Sequence, residues 1–354
     1  MDAKITKTRL GQLLSYDWIK ILLFIVIAIV VWSLVFTMTA TRITPTQTYS
    51  IVNFYGTNFG MKINENYYGY KGNVFSYEVM ECSVVDVLAG GDDYVGTLLE
   101  TRFVTSEGDV LFAANVNNPE SKTAKTDENG NEIKNAEGET EYEYTTYLQQ
   151  FLKTTYFHDV VRLDDTAEKD GYFTQMKKYL ASFYQFTETE KTFGEVTLSV
   201  ADFDENTLDT ATVERLFRER VARNKDKRFK KEAQIQQGVA DEIKRIQSYC
   251  EGYETIFEYL EKGYIAFTVS SVQMTETVTY TGAYSLNLCP NEDTMGGLKN
   301  FVYHIAQDEN GKNYTTAKDI NALFLLLDGV DTDFQYETVL LINQFVKEAC
   351  SEIN

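Results

Sequence analysis

The chain has 354 residues, with 33 Lys and Arg against 53 Asp and Glu, a formal net charge of −20 and a pI near 4.6. This acidic balance excludes a general nucleic-acid binder, because a nucleic-acid groove needs net positive charge. Only two histidines, His158 and His304, are present, which leaves little room for a His-rich metal site, and we predict no cofactor.

An uncharged apolar run of 18 residues extends from Ile21 to Met38, directly after Lys20. About 20 helical residues cross a 30 Å hydrocarbon layer. The run is longer than the apolar region of a cleaved signal peptide, and Met38 is too bulky for a cleavage site ending at Ala40. We therefore predict an uncleaved transmembrane anchor at 19–40, with a cleaved signal sequence as the alternative.

Basic residues near the apolar run predict its orientation in a cell membrane. Only Arg42 follows the run before Lys62, whereas four basic residues lie upstream or at its start: Lys4, Lys7, Arg9 and Lys20. Positive charge marks the cytoplasmic side, so residues 1–18 form a short cytoplasmic segment and residues 43–354 an extracellular domain. Residues 1–42 carry +3 of the total −20, which leaves −23 on the rest of the chain.

The first half of this domain alternates strand and helix patterns. Tyr49–Tyr55 and the β-branched Tyr77–Leu88 are typical of strands, Tyr94–Thr105 has helical periodicity, and Asp109–Ala114 is a short apolar strand. A strand, helix and strand in succession predict a parallel pair with a right-handed crossover. The sequence thus predicts an α/β fold.

Residues 117–143 are polar, charged and almost free of aliphatic side chains. This composition predicts either a mobile loop or an exposed hairpin around Asn129 and Gly130. The similar stretch at 308–311 is also expected to be a turn.

Helical periodicity then covers more than 50 residues at 209–262, where we expect two or three helices, with breaks or kinks at 224–228, Gly238 and Gly252. It is preceded by a helix at Tyr172–Phe183 and a strand at Glu195–Val200. The remaining predicted elements are two strands and three helices: Tyr264–Val272, Thr277–Leu288, then Met295–Ile305, Ala317–Leu327 with a capping box of Thr316 and Asp319, and Phe334–Cys350 capped by Thr332.

All four cysteines follow the apolar run: Cys82, Cys250, Cys289 and Cys350. An oxidising compartment permits disulfides among them, with three possible full pairings. Each can equally be a small buried hydrophobic residue. We predict no structural disulfide, because a domain of this size buries enough core without one.

Two regions resemble bacterial extracellular (type 2 periplasmic) solute-binding proteins. The first is Tyr77–Phe112, which closes with TRFVTSEGDVLF at Thr101–Phe112, and the second is residues 280–305 followed by the terminal elements in Ala317–Cys350. The resemblance implies a two-lobed domain with a hinge and a ligand cleft, serving an ABC transporter permease. It assigns no ligand residue, because no binding motif is matched.

A basic cluster stands out within the acidic domain. Its local balance is +7, since only Glu219 and Asp226 oppose nine basic residues: Arg215, Arg218, Arg220, Arg223, Lys225, Lys227, Arg228, Lys230 and Lys231. The functional interpretation is a docking patch for an anionic partner, such as a wall polymer, a lipid headgroup or an acidic protein face. The alternative is a solvated helix face paired with the domain's own acids.

No enzyme motif is present: GxSxG, the P-loop, GxGxxG and HExxH are all missing, so we predict that the chain is not an enzyme. Two functional hypotheses follow. The first is a membrane-anchored solute-binding-like protein that captures a small solute or assists an ABC importer. The second is a non-catalytic cell-envelope scaffold that docks an anionic partner through the basic cluster.

Overall fold

The apolar N-terminal run forms helix α1, Trp18–Thr39, in the computed structural model of the chain. Its first 20 residues are long and apolar enough to cross a membrane, and none of that window is buried. A helix that is apolar on every face needs lipid or protein around it. The structure describes residue 11 and residues 18–39, 47–90, 95–105, 107–127, 129–273, 278–326 and 336–353. Residues 43–354 form a separate compact unit, here called the C-terminal unit.

A mixed six-stranded sheet organises the C-terminal unit, with strand order β3-β1-β4-β13-β10-β9. The other described strands form one three-stranded and two two-stranded sheets. In chain order the strands are β1 Thr48–Asn53, β2 Asn58–Phe59, β3 Glu81–Val85, β4 Val110–Ala114, β5 Thr123–Ala124, β6 Tyr142–Glu143, β7 Phe186–Phe193, β8 Val196–Phe203, β9 Ala266–Gln273, β10 Thr279–Asn287, β11 Val302–Gln307, β12 Asn313–Thr316 and β13 Ile320–Phe324.

Helices cover the sheet and extend beyond it. They are α2 Met61–Tyr70, α3 Val95–Val104, α4 Tyr147–Leu152, α5 Tyr172–Leu180, α6 Thr210–Asn224, α7 Glu232–Glu261, α8 Glu292–Met295 and α9 Glu337–Ala349. The final helix is confirmed as α9, while its predicted cap, Thr332, lies outside the described residues.

The predicted β-α-β unit is confirmed. Strands β3 and β4 both run parallel to β1, which lies between them, and Ile51 faces Val84 on one side and Val110 on the other. Helix α3 connects β3 to β4 and buries Val95, Leu99 and Phe103. Apolar residues at this spacing share one helix face, which explains why α3 packs onto the sheet.

The predicted helix at Ala317–Leu327 is wrong. Residues 320–324 are strand β13, which lies antiparallel between β4 and β10 in the middle of the sheet. All five residues of β13 are buried, four of them are apolar, and the strand shows no alternation between apolar and polar residues, so in a sequence it resembles a buried helix. Thr316 caps no helix, and its hydroxyl donates instead to the Glu292 carboxylate over 2.5 Å.

The predicted helix at Met295–Ile305 is also wrong. Helix α8 ends at Met295, a short 3₁₀ turn follows at Gly296–Asn300, and Val302–Gln307 is strand β11. Strand β11 pairs with β2 and β12, and these neighbours supply the hydrogen bonds that fix an extended backbone. The turn predicted at 308–311 joins β11 to β12 and is confirmed.

The polar insertion at 117–143 adopts the hairpin alternative. Strands β5 and β6 close it, and isolated bridges join Thr126 to Glu132 and Lys134 to Thr140. The side chains of Asp127 and Asn135 each accept two backbone N–H groups across a tight turn. Short polar side chains that bond to their own turn explain how so polar a segment is ordered.

Two helices, α6 and α7, occupy the block at 209–262, with the break predicted at 224–228 between them. The breaks predicted at Gly238 and Gly252 are wrong, because both glycines lie inside α7 and both are buried. They are sites of close packing. A Cβ at Gly238 would lie 2.4 Å from Phe217 Cζ, and one at Gly252 would lie 2.9 Å from Leu340 Cδ2.

We expect Gly238→Ala to lower the free energy of unfolding by about 1–3 kcal/mol, because the new methyl group collides with two packed aromatic rings. Urea unfolding of the C-terminal unit measures the effect. Gly69→Ala is the matched control, since Gly69 is an exposed glycine in helix α2 with open space around a Cβ. An equal loss in both variants would contradict the packing role of Gly238.

The C-terminal unit has its own hydrophobic core, in two clusters of buried side chains. We therefore expect residues 43–354 to fold without α1. All four cysteines are free, buried thiols. Burial raises the pKa of Cys82, Cys250 and Cys289 to about 12, so these thiols are not reactive at neutral pH.

Candidate functional site

The basic cluster lies on a helical hairpin made of α6, α7 and the segment between them, residues 225–231, which we call the hairpin tip. Asp209 caps the start of α6 by accepting the N–H groups of Ala211 and Thr212. Lys225 ends α6 in the left-handed conformation, with φ of 51°, and this reverses the chain. At the start of α7, the Gln234 side chain accepts the N–H groups of Lys230 and Lys231.

Aromatic packing holds the two helices together near the tip. The ring of Phe217 lies against Gly238, where the missing side chain allows close approach. Phe217 also meets Phe229 edge to face, with 5.0 Å between ring centroids. Such pairs stabilise beyond the apolar area that they bury. The two rings therefore fix the hairpin tip relative to both helices.

Arg218 joins α6 to α7 through a bidentate pair. Its guanidinium donates to both carboxylate oxygens of Glu232, over 2.6 and 3.3 Å, and its Nε donates to Glu214 over 2.8 Å. This contact lowers the pKa of Glu232 to about 2. Planar guanidinium groups suit such two-pronged contacts, so Arg218 serves the hairpin's own structure.

Two further arginines turn inward. Arg220 and Arg228 both bind Glu78, over 3.1 and 2.6 Å, and Glu78 lies about 150 residues earlier in the chain. Arg220 also binds Glu242 of α7 over 2.9 Å, and Arg245 pairs with the same carboxylate. We call Glu78, Arg220, Arg228, Glu242 and Arg245 the buried ion network.

The exposed fractions of these side chains show how far the network is buried: 3% for Glu78, 7% for Glu242, 11% for Arg220 and 18% for Arg228. Burial opposes ionisation of Glu242, yet Arg245 and Arg220 hold its pKa below the usual value. Tyr77 adds a hydrogen bond from its hydroxyl to Glu242 over 2.6 Å. Glu242 therefore keeps its charge, and the network anchors the hairpin to the segment before β3.

The four lysines of the tip differ from these arginines in their exposure. Lys225, Lys227, Lys230 and Lys231 are all exposed, and within the described residues none of them forms an ion pair. The nearby acids are already engaged by arginines: Glu214 and Glu232 by Arg218, Glu219 by Arg215 and Asp226 by Arg228. Four positive charges therefore remain at one end of the hairpin.

The structure thus divides the nine predicted docking residues by role. Arg215, Arg218, Arg220 and Arg228 pair with the domain's own acids, as the alternative interpretation expected. The four tip lysines and the exposed Arg223 remain on the surface. Sequence reasoning missed Glu78 and Glu242, because nothing in the chain distinguishes them among 53 acids.

A second place to examine is the carboxyl end of the parallel strands, where α/β proteins bind ligands. The chain reverses strand order between β1 and β4, which makes this edge a topological switch point. Asn53, the last residue of β1, and Thr57, which follows the strand, are fully buried, and the Tyr147 ring packs directly on Gly56. The chain's own side chains therefore occupy this position.

Among the described residues, no group of three or more His, Cys, Asp or Glu side chains is placed to hold a metal ion. Comparisons with protein-family models, with curated proteins and with solved structures found no match to this chain.

Proposed function

We propose that this chain is a membrane-anchored, extracytoplasmic docking protein without catalytic activity, which binds an anionic partner through the hairpin tip. The observation that supports this most is the orientation of the charges. Four arginines of the basic cluster pair with the domain's own carboxylates: Arg215, Arg218, Arg220 and Arg228. The four tip lysines remain exposed and without ion pairs in the described part of the chain.

Electrostatics favours such a role for the tip. Residues 43–354 carry a net charge of −23, which repels most anionic surfaces. Charge acts over a Debye length of about 8–10 Å at ordinary salt, so a partner close to the tip feels mainly the lysines. The acidic remainder of the domain then restricts anionic partners to this one end, which gives orientation as well as affinity.

Reversing the four tip lysines, by Lys225→Glu, Lys227→Glu, Lys230→Glu and Lys231→Glu together, should weaken binding of a polyanion at least about tenfold. Each basic residue near an anionic surface contributes about 1 kcal/mol. Fluorescence anisotropy with labelled polyglutamate measures the change, and added NaCl should weaken binding by the native chain.

The matched control reverses four exposed lysines elsewhere, at Lys153, Lys169, Lys299 and Lys312, which makes the same change in net charge. This variant should bind polyglutamate nearly as the native chain does. Equal losses in the two variants would assign the effect to net charge and would refute a docking site at the tip.

Helix α1 supplies the anchor in this proposal. The basic residues before it favour an N-terminus in the cytoplasm and a C-terminal unit outside the cell. Protease added to intact cells should then remove the C-terminal unit from the membrane fraction. Release of an intact unit into the medium without protease would instead indicate a cleaved signal sequence.

Solute binding in service of an ABC importer is the second candidate. It is favoured by the topological switch point between β1 and β4, and it requires a binding position other than the one that Asn53, Thr57 and Tyr147 fill. The two-lobed form with a hinge and cleft belongs to this candidate. A thermal-shift screen of the 43–354 fragment against sugars, oligosaccharides, peptides and amino acids tests it. A ligand at 100 times its Kd raises the free energy of unfolding by about 2.7 kcal/mol. If no compound in the panel shifts the melting temperature, the docking role is the one candidate that remains.

A further inference from the structure

Beside the tip lysines, the two helices of the hairpin leave a groove of about 460 Å³. Its floor is apolar and consists of Val221 and Ala222 from α6, Phe229 from the tip and Ile235 from α7. Arg218 and Lys225 stand at its rim, and the one acid in its wall, Asp226, is bound by Arg228 over 2.7 Å. Arg218 is already paired with Glu214 and Glu232, so the groove combines an apolar floor with the exposed ammonium group of Lys225 at its rim.

The shape of this groove discriminates between the anionic partners that the tip lysines alone would accept. Apolar groups that insert into a bilayer have to project from a surface. Here Val221, Phe229 and Ile235 are half-buried and line a concavity, so they can receive side chains but cannot project into lipid. Carbohydrate polyanions have no apolar side chains to insert, so they would lie over the groove and leave its apolar floor without a matching partner.

We infer that the partner of the hairpin tip is an acidic amphipathic segment of a protein, whose apolar side chains fill the groove while its carboxylates face the lysines. This inference rests on the proposed docking function and names its partner class. Helices that bind in grooves insert apolar residues at positions i, i+3, i+4 and i+7. The volume of the groove lies within the range of about 300–1,000 Å³ that is usual for binding pockets, enough for a few such side chains.

The charges around the groove determine which sign of charge the bound segment carries. Lys225 is at the rim, and Lys227, Lys230 and Lys231 continue along the tip without ion pairs in the described chain. Glutamates flanking the inserted apolar residues would meet these ammonium groups, whereas basic flanks would be repelled. Apolar contacts and charge therefore both contribute to recognition of this segment. A ligand that offers only apolar side chains, or only carboxylates, should bind more weakly.

The test uses the full chain in nanodiscs of zwitterionic lipid and three fluorescent probes. One is a helical peptide with leucines at every third or fourth position and glutamates between them. The second has serine in place of each leucine, and the third is polyglutamate. We expect the leucine peptide to bind at least about tenfold more tightly than the serine peptide, because burial of a single leucine side chain accounts for a factor of that size.

Ala222→Trp fills the groove from an exposed helical position, so it leaves the core intact. It should remove the preference for the leucine peptide and leave polyglutamate binding within about twofold. Ile235→Ser, which opens the floor, is the second variant and should act in the same direction. Circular dichroism confirms that both variants are folded.

The possible failures are distinguishable. If both peptides bind equally and Ala222→Trp has no effect, the inference is overturned while charge docking at the tip survives. Binding to vesicles that contain phosphatidylglycerol, without binding to either peptide, would also overturn it and would assign a lipid surface. If no anionic probe binds the native chain, the proposed function fails together with the inference.

Discussion

Glu78→Gln should lower the free energy of unfolding of the C-terminal unit by about 3–5 kcal/mol. The substitution removes a carboxylate that Arg220 and Arg228 share, at a position where only 3% of the glutamate side chain is exposed. Removing one partner of a buried ion pair leaves an uncompensated charge in a poorly solvated place, which costs more than the pair itself contributes. Urea unfolding of residues 43–354 measures the loss.

Two comparisons separate the charge effect from a general effect of substitution. Glu81→Gln removes an exposed carboxylate at the start of β3 and should change stability by less than about 0.5 kcal/mol. Combining Glu78→Gln with Arg228→Gln should cost less than the sum of the two single changes, because residues in one network couple. Strict additivity would show that Glu78 and Arg228 do not interact as the structure places them.

Asp109 gives the second large expected effect. It lies directly before β4, is half-buried, and accepts a hydrogen bond from the Ser50 N–H over 2.6 Å. Burial raises the pKa of Asp109 to about 7; the Ser50 hydrogen bond opposes this increase, and the nearby Glu337 adds to it. The folded chain therefore retains a proton on Asp109 at pH values where the unfolded chain has lost it.

The direction of the pH dependence follows from proton binding. Between about pH 4 and pH 7 the folded state holds more protons than the unfolded state, so stability falls as the pH rises through this window. Asp109→Asn replaces the carboxyl by a neutral amide, whose oxygen can still accept the hydrogen bond from the Ser50 N–H. We expect this variant to be about 2–4 kcal/mol more stable than the native chain at pH 8 and similar to it at pH 4.

Urea unfolding of the 43–354 fragment at pH 4, 6 and 8 checks this prediction, with Asp308→Asn in the exposed β11–β12 turn as the control. The control variant should show no such gain at pH 8. A constant difference between Asp109→Asn and the native chain at all three pH values would contradict a titration of Asp109 in this window.

Local patterns predicted the elements that are amphipathic and missed those that the tertiary environment determines. The large apolar residues of helix α5 recur at helical spacing, strand β8 alternates buried and more exposed residues over residues 196–200, and the sequence predicts both elements. Strand β13 is buried on both faces, so it has no alternation, and its Ala and Leu residues favour a helix in isolation. Only pairing with β4 and β10, which is distant in sequence, makes it extended.

The same distinction applies to the candidate site, whose local features were predictable from the sequence and whose tertiary contacts were not. The density of basic residues identified the hairpin, and the break between its helices was expected from the polar stretch at 224–228. Which cations turn inward was not predictable, because Glu78 lies about 150 residues away from Arg228 and only the fold brings them together. The apolar groove at the tip likewise requires two helices to be placed side by side.

The central position of β13 has a consequence for how the domain is made. Strand β4 pairs with β1 on one side, but its other neighbour is synthesised about 200 residues later. Until then the nascent sheet exposes a hydrogen-bonding edge in its middle, and such edges favour aggregation. Folding of this domain is therefore a late event in synthesis, and a chain that ends before residue 320 should depend on chaperones to remain soluble.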